Sequence, residues 1–163
     1  MSYQHRFHSI PAALAAILAA VSIAFTVPSA KAEGTIREQA LALTFDDSAV
    51  EWGPCPAFMP KGCELAVLHG DAAKPNADIF LKVPSESTLP HHWHTSAERM
   101  ILVSGELHVT YDGQGTQVLK RGSYGYVPAK LPHTGFCAKG DPCVLFIAFE
   151  GPVDAVPAAA GAK

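Results

Sequence analysis

The sequence predicts an all-β domain, a sandwich or a barrel, and two observations carry the prediction. About nine short runs between residues 64 and 149 alternate or cluster apolar side chains and are separated by Gly, Pro, Asn and Asp turn signals. No segment after residue 33 carries a sustained amphipathic helical period.

The elements follow in order. Residues 33–50 are weakly patterned and read as an arm holding a short helix or an edge strand. A loop with Pro54, Pro56 and Pro60 follows, and residues 64–68 form the first strand, ended by His69-Gly70-Asp71. Lys74-Pro75-Asn76 is a turn, and residues 77–83 alternate Ile79 and Leu81 against Phe80 and Lys82. Strands over 89–94 and 97–103 come next, and Gly105 turns the chain into 106–111. Asp112-Gly113 is a hairpin signal leading to 116–120. Arg121-Gly122 turns into 123–127, and 132–137 and 143–149 complete the set. From residue 151 the chain is rich in Ala, Pro and Gly and is expected to fray.

The first 32 residues stand apart. Arg6 precedes an apolar, alanine-rich run that ends at Ala30-Lys31-Ala32, the small-x-small pattern of a cleaved signal peptide. A transmembrane anchor is the competing reading, but the run is short for a span. The expected organisation is therefore a signal peptide over 1–32, an arm and loop over 33–61, a barrel over 62–150 and a flexible tail over 151–163. The protein is expected to be periplasmic or secreted, and free of the membrane once the signal is removed. The formal net charge is −3, and no basic run is present, which argues against a nucleic-acid partner.

Cys55, Cys63, Cys137 and Cys143 allow three pairings. The local pairing, Cys55 with Cys63 and Cys137 with Cys143, is favoured because each pair flanks a loop containing Pro or Gly. Closing such loops stabilises by about 2–3 kcal/mol each in the chain-entropy account. A cysteine metal site is disfavoured by the lack of a short Cys-x-x-Cys spacing.

The chemistry gathers between Pro90 and Gly105. His92 and His94, two apart, leave the same face of an extended strand, and Glu98 rejoins that face after a short turn. Two imidazoles and a carboxylate suit Zn, Fe, Mn, Ni or Cu, and a fourth ligand must come from elsewhere. His69, His91 and His108 read as ordinary polar residues. Tyr124, Tyr126, Phe80 and Phe136 read as core aromatics, and Lys130 as a solvated loop residue.

His92, His94, Glu98 and Gly105 fit the pattern H-x-H-x(3)-E-x(6)-G, and Gly122, Pro128 and His133 fit most of G-x(5)-P-x-G-x(2)-H-x(3)-N. Together they resemble the two motifs of the cupin superfamily, over roughly residues 62–150. The chain departs from the second motif at Lys130, where Gly is usual, and at Cys137, where Asn is frequent. Among cupins it is similar to small exported bacterial members and to the zinc-binding cupin domain of certain anti-sigma factors. The resemblance implies a single jelly-roll barrel in which His92, His94, Glu98 and His133 bind one divalent transition metal (Zn, Fe, Mn or Ni).

That ligand set admits two functions: metal-dependent, dioxygenase-like or related chemistry on a small oxygenated organic molecule, or non-catalytic binding and sensing of a metal or small ligand. Apolar residues on both faces of 97–103 imply that the outer face is covered too. The cover is expected from a homodimer burying Trp93 or Ile101, or from residues 33–50 of the same chain.

Overall fold

The computed structural model describes residues 39–158; the signal-peptide reading of 1–32 lies outside the described residues. Among the described residues eleven strands run as β1 (Gly53–Pro54), β2 (Glu64–His69), β3 (Ala77–Val83), β4 (Thr88–Trp93), β5 (Glu98–Ser104), β6 (Glu106–Tyr111), β7 (Gly115–Lys120), β8 (Tyr124–Val127), β9 (His133–Cys137), β10 (Cys143–Phe149) and β11 (Val156–Pro157). All described pairings are antiparallel. One sheet has the order β1-β2-β3-β10-β5-β8 and the other β11-β4-β9-β6-β7. From β3 to β11 the chain changes sheet at every step except the β6–β7 hairpin, the crossing habit of a jelly roll.

Alternation sorts each strand between the two faces. On β5, Glu98, Met100 and Leu102 point inward and are buried, while Arg99 is exposed and Ile101 and Val103 are half-buried. The inner faces of both sheets share one core containing Ile79, Leu102, Leu107, Val109, Leu145 and Ile147. Each such side chain contributes about 1.5–3 kcal/mol on burial.

The outer face of the six-stranded sheet has its own apolar layer. Val50, Leu43, Phe45 and Trp52 pack over Ala66, Phe80, Val144 and Phe146. Trp52 stacks on Phe80 with ring centroids 6.3 Å apart, and the Lys82 ammonium sits 4.2 Å from the Trp52 ring. Cover from within the chain is thus what the structure shows for this sheet, and Phe80 belongs to that layer rather than to the inner core.

Both local disulfides are present. Cys137 ends β9 and Cys143 begins β10, so this bridge ties the two sheets together at a fully buried position. Cys137 stands where an Asn is frequent in the second motif, and the bridge gives that replacement a structural purpose. The other bridge, Cys55–Cys63, closes the proline loop between β1 and β2.

Two motif positions show their backbone reasons. Gly105 lies at φ +80°, and a Cβ there would sit 2.9 Å from the Pro142 carbonyl oxygen, so a side chain is excluded twice over. Lys130 also adopts a left-handed backbone, at φ 62°, as the usual Gly would. Its N–H donates to the His94 carbonyl at 2.8 Å, a bond that holds the turn beside the histidine.

The stretch from residue 151 does not fray as expected over its described part. Val153 N–H donates to the Ala72 carbonyl at 2.9 Å, β11 pairs Val156 with Trp93 and Pro157 with His92, and Ala158 N–H reaches the His91 carbonyl at 3.0 Å. Tyr124, Tyr126 and Phe136 also differ from expectation, being 61%, 53% and 41% exposed. Tyr124 and Tyr126 face outward opposite Ile101 and Arg99 on edge strand β8, and Phe136 faces outward on β9.

Candidate metal centre

His92 lies on β4, His94 one residue past its end, and His133 opens β9, where it pairs directly with His92. Glu98 opens β5 in the facing sheet. All four side chains are buried. One nitrogen from each of His92, His94 and His133 lies within 4.8 Å of the others, a group able to hold a metal ion. Glu98 stands beside it, with Oε2 3.0 Å from His94 Nε2.

The orientation of the three rings follows from their second nitrogens. His92 Nδ1 donates to the Pro90 carbonyl at 2.6 Å, His133 Nδ1 to the Leu131 carbonyl at 3.0 Å, and His94 Nδ1 to the Asp154 carbonyl. A neutral imidazole has one proton, so these bonds place it on Nδ1 and leave the lone pair on Nε2. Outer carbonyl acceptors of this kind fix the tautomer and ring plane of metal-binding histidines. Two of the acceptors lie two residues upstream of their histidine; the third comes from far along the chain.

The contact between His94 and Glu98 is then informative. Nε2 presents a lone pair, the carboxylate oxygen presents another, and Oε2 has no hydrogen-bond partner despite being buried. Two lone pairs held 3.0 Å apart need a cation between them, either a proton or a metal. The donor set therefore fits a divalent ion.

Burial sets the protonation states. It lowers all three imidazoles, His92 to about 3, with the neighbouring His133 adding to the effect. The rings are thus neutral and ready to coordinate. Burial raises Glu98 to about 7, the cost of an ionised carboxylate in a dry site. Tyr111, whose ring centroid is 5.6 Å from that of His133, is pushed to about 12 by burial and by the Glu98 charge.

The histidines not expected to be ligands lie elsewhere. His91 Nε2 is 3.1 Å from both Asp112 carboxylate oxygens, and His108 Nε2 is 2.8 Å from Glu106. His69 is exposed at the end of β2. Sequence reasoning missed Asp154, whose carbonyl orients His94 and whose carboxylate accepts the Thr95 N–H at 3.0 Å. Phe58 was also missed; it comes from the Cys55–Cys63 loop to 6.3 Å from the His92 ring. No side-chain pattern marks a backbone acceptor, so the Asp154 carbonyl left no trace in the sequence.

A cavity of about 380 Å³ opens onto the four side chains. Leu65, Leu81, Leu107 and Ile147 give it an aliphatic lining, to which Met59 of the disulfide loop and Val153 of the C-terminal segment also contribute.

A β-barrel jelly roll with a histidine cluster at the cavity wall is the architecture of a cupin. The chain belongs to the ChrR cupin-like domain family, which it matches over residues 41–154. Among solved structures it is similar to the DMSP lyase DddQ from Ruegeria pomeroyi, at 18% identity and a TM-score of 0.57, covering 66% of this chain and 60% of that one. The polyketide cyclase RemF from Streptomyces resistomycificus aligns at 17% identity and a TM-score of 0.58, covering 75% and 89%. An RmlC-like cupin from Shewanella frigidimarina aligns at 21% identity and a TM-score of 0.54, covering 71% and 94%. This chain spans about three-fifths of the length of the DMSP lyase chains it matches. No curated protein matches the sequence.

Proposed function

We propose that this chain is an exported metal-binding cupin in which His92, His94, Glu98 and His133 hold one divalent transition metal beside a small-molecule site. The observation that carries the reading is the set of three imidazoles, each tied through Nδ1, facing a buried carboxylate oxygen that has no hydrogen bond. The two disulfides support export to an oxidising compartment, the periplasm or beyond.

The proposed activity is metal-dependent chemistry on a small oxygenated organic molecule. A divalent ion would supply Lewis-acid stabilisation of developing negative charge or, if redox-active, dioxygenase-like chemistry. The chain's own residues contribute binding and exclusion of water: the tied histidines fix the coordination geometry, and the apolar wall holds the organic body. Structural neighbours that are enzymes on small organic molecules, the DMSP lyase and the polyketide cyclase among them, support this reading of the fold.

A non-catalytic sensing module is the second reading, favoured by the family match and by a donor count that can by itself close tetrahedral zinc. Elemental analysis of protein purified from its native compartment, followed by X-ray absorption, separates the two. Six-coordination with exchangeable water supports an enzyme, four protein donors alone support a sensor, and protein without stoichiometric metal sinks both.

The homodimer is retained as part of the proposal, on the sheet that carries Trp93 and not on the Ile101 side. Phe136, His108 and Val118 line up across β9, β6 and β7 on the outer face of the five-stranded sheet, with Phe136 and Val118 41% and 49% exposed. Sedimentation of a monomer would remove this part.

A further inference from the structure

The cavity has an unusually lopsided wall. Among its lining residues there is no Lys, Arg, Ser, Thr, Tyr, Asn or Gln. Every polar side chain on it belongs to one cluster: His92, His94, Glu98, His133 and the adjoining Asp154. The Asp154 carboxylate is already engaged by the Thr95 N–H. Everywhere else the lining is aliphatic, aromatic, methionine, glycine, proline or the Cys55 bridge.

We propose that this site takes an apolar organic molecule bearing a single small acidic or enolic head group, and that it rejects polyhydroxylated and dianionic molecules. The inference deepens the metal-centre reading and rests on it for the head group only. A second polar group on the ligand would lie against a wall that offers no polar side chain and no counter-charge, and would lose its water with little in return. An apolar body gains there, because it removes its own surface and that of the wall from water. The volume sets the scale. A cavity of about 150 Å³ holds benzene, and the 380 Å³ here accommodates a body of more than one ring.

Two segments make this selection from outside the barrel. Met59 comes from the disulfide-closed loop and Val153 from the stretch after β10, and both pack on the inner core beside the cavity. They are the natural places to alter the wall while leaving the histidines and Glu98 in place.

The test is calorimetric titration of biphenyl-4-carboxylate and of succinate into zinc-loaded and metal-free protein. Biphenyl-4-carboxylate is expected to bind zinc-loaded protein at least about tenfold more tightly than succinate. Met59→Glu and Val153→Glu are each expected to weaken biphenyl-4-carboxylate by about tenfold or more while zinc content per chain stays the same. Circular dichroism identifies a variant that fails to fold; the two positions are independent, and the comparison on unmodified protein needs neither. Succinate binding as tightly as biphenyl-4-carboxylate, binding of neither, or unchanged affinity in both folded variants overturns the inference. A protein that takes up no zinc, yet keeps the preference for biphenyl-4-carboxylate, supports the apolar site and rejects the metal centre instead.

Discussion

The two sheets of the barrel are built for different tasks. The six-stranded sheet is packed on both faces over β2, β3 and β10, inward against the core and outward against Val50, Trp52 and their neighbours, and is open at its β8 edge, where Tyr124 and Tyr126 are exposed. The five-stranded sheet leaves Phe136 and Val118 exposed on its outer side, while β4 and β9 bring His92 and His133 to the cavity. The six-stranded sheet is chiefly a packed wall that contributes a single member of the polar cluster, Glu98. The other supplies the histidines and keeps their orientation through bonds to the Pro90 carbonyl of β4 and to the Leu131 and Asp154 carbonyls of neighbouring loops. Packing and chemistry are thus divided between layers, and a substitution in one should leave the other's property intact.

The strongest way to break that division is at the histidines. His94→Ala or His133→Ala should weaken zinc binding by more than about 100-fold, since losing even an outer partner of a ligand costs about 10–100-fold. A fluorescent chelator competition measures it, and equal loss from His108→Ala would show that the cluster has been misassigned.

On the covered side, Phe80→Ala should destabilise the fold by about 3–5 kcal/mol, the usual cost of emptying a buried aromatic site. Chemical denaturation gives the figure, and zinc content at saturation should not change. Loss of metal in a variant that remains folded would mean the layers are coupled.

Next in size is a pH effect. Glu98 is raised to about 7 and must lose its proton to ligate, whereas His92, at about 3, is already neutral. The sign follows: affinity rises with pH, by about tenfold per unit below pH 7, and levels off above it. Chelator competition from acid to neutral pH reads the slope. Glu98→Gln should flatten it, and a flat profile in the unmodified protein would contradict the assignment of the proton to Glu98.

The smallest expected effect is at His108, on the outer face of β6, where truncation to Ala should change stability by under about 0.5 kcal/mol. A larger loss, accompanied by a change in sedimentation, would point to a partner on the outer face of the five-stranded sheet.

Much of this fold was legible because alternation and turn residues are local signals. The runs over 77–83, 106–111 and 143–149 fall at the observed bounds of β3, β6 and β10. The two strands that escaped, β1 and β11, are two residues long and each contains a proline, which reads as a break. His92, His94 and Glu98 were visible from spacing. His133 was visible only through family resemblance, because its proximity to His92 depends on the pairing of β4 with β9. Tyr124 and Tyr126 were misread for a related reason: parity gives two faces, but sequence does not say that β8 is the edge of its sheet. The rivalry between a second copy and the arm as outer cover was likewise beyond local pattern, since it turns on where residues 43–52 lie.

The hydrogen bond from His94 to the Asp154 carbonyl also bears on what holds the site in place. His92 and His133 find their acceptors two residues upstream, within the segments that carry them. His94 relies on a residue 60 positions later in the chain. The His94 ring is thus fixed by the C-terminal segment, which makes that segment part of the histidine cluster's support and not merely an appendage to the barrel.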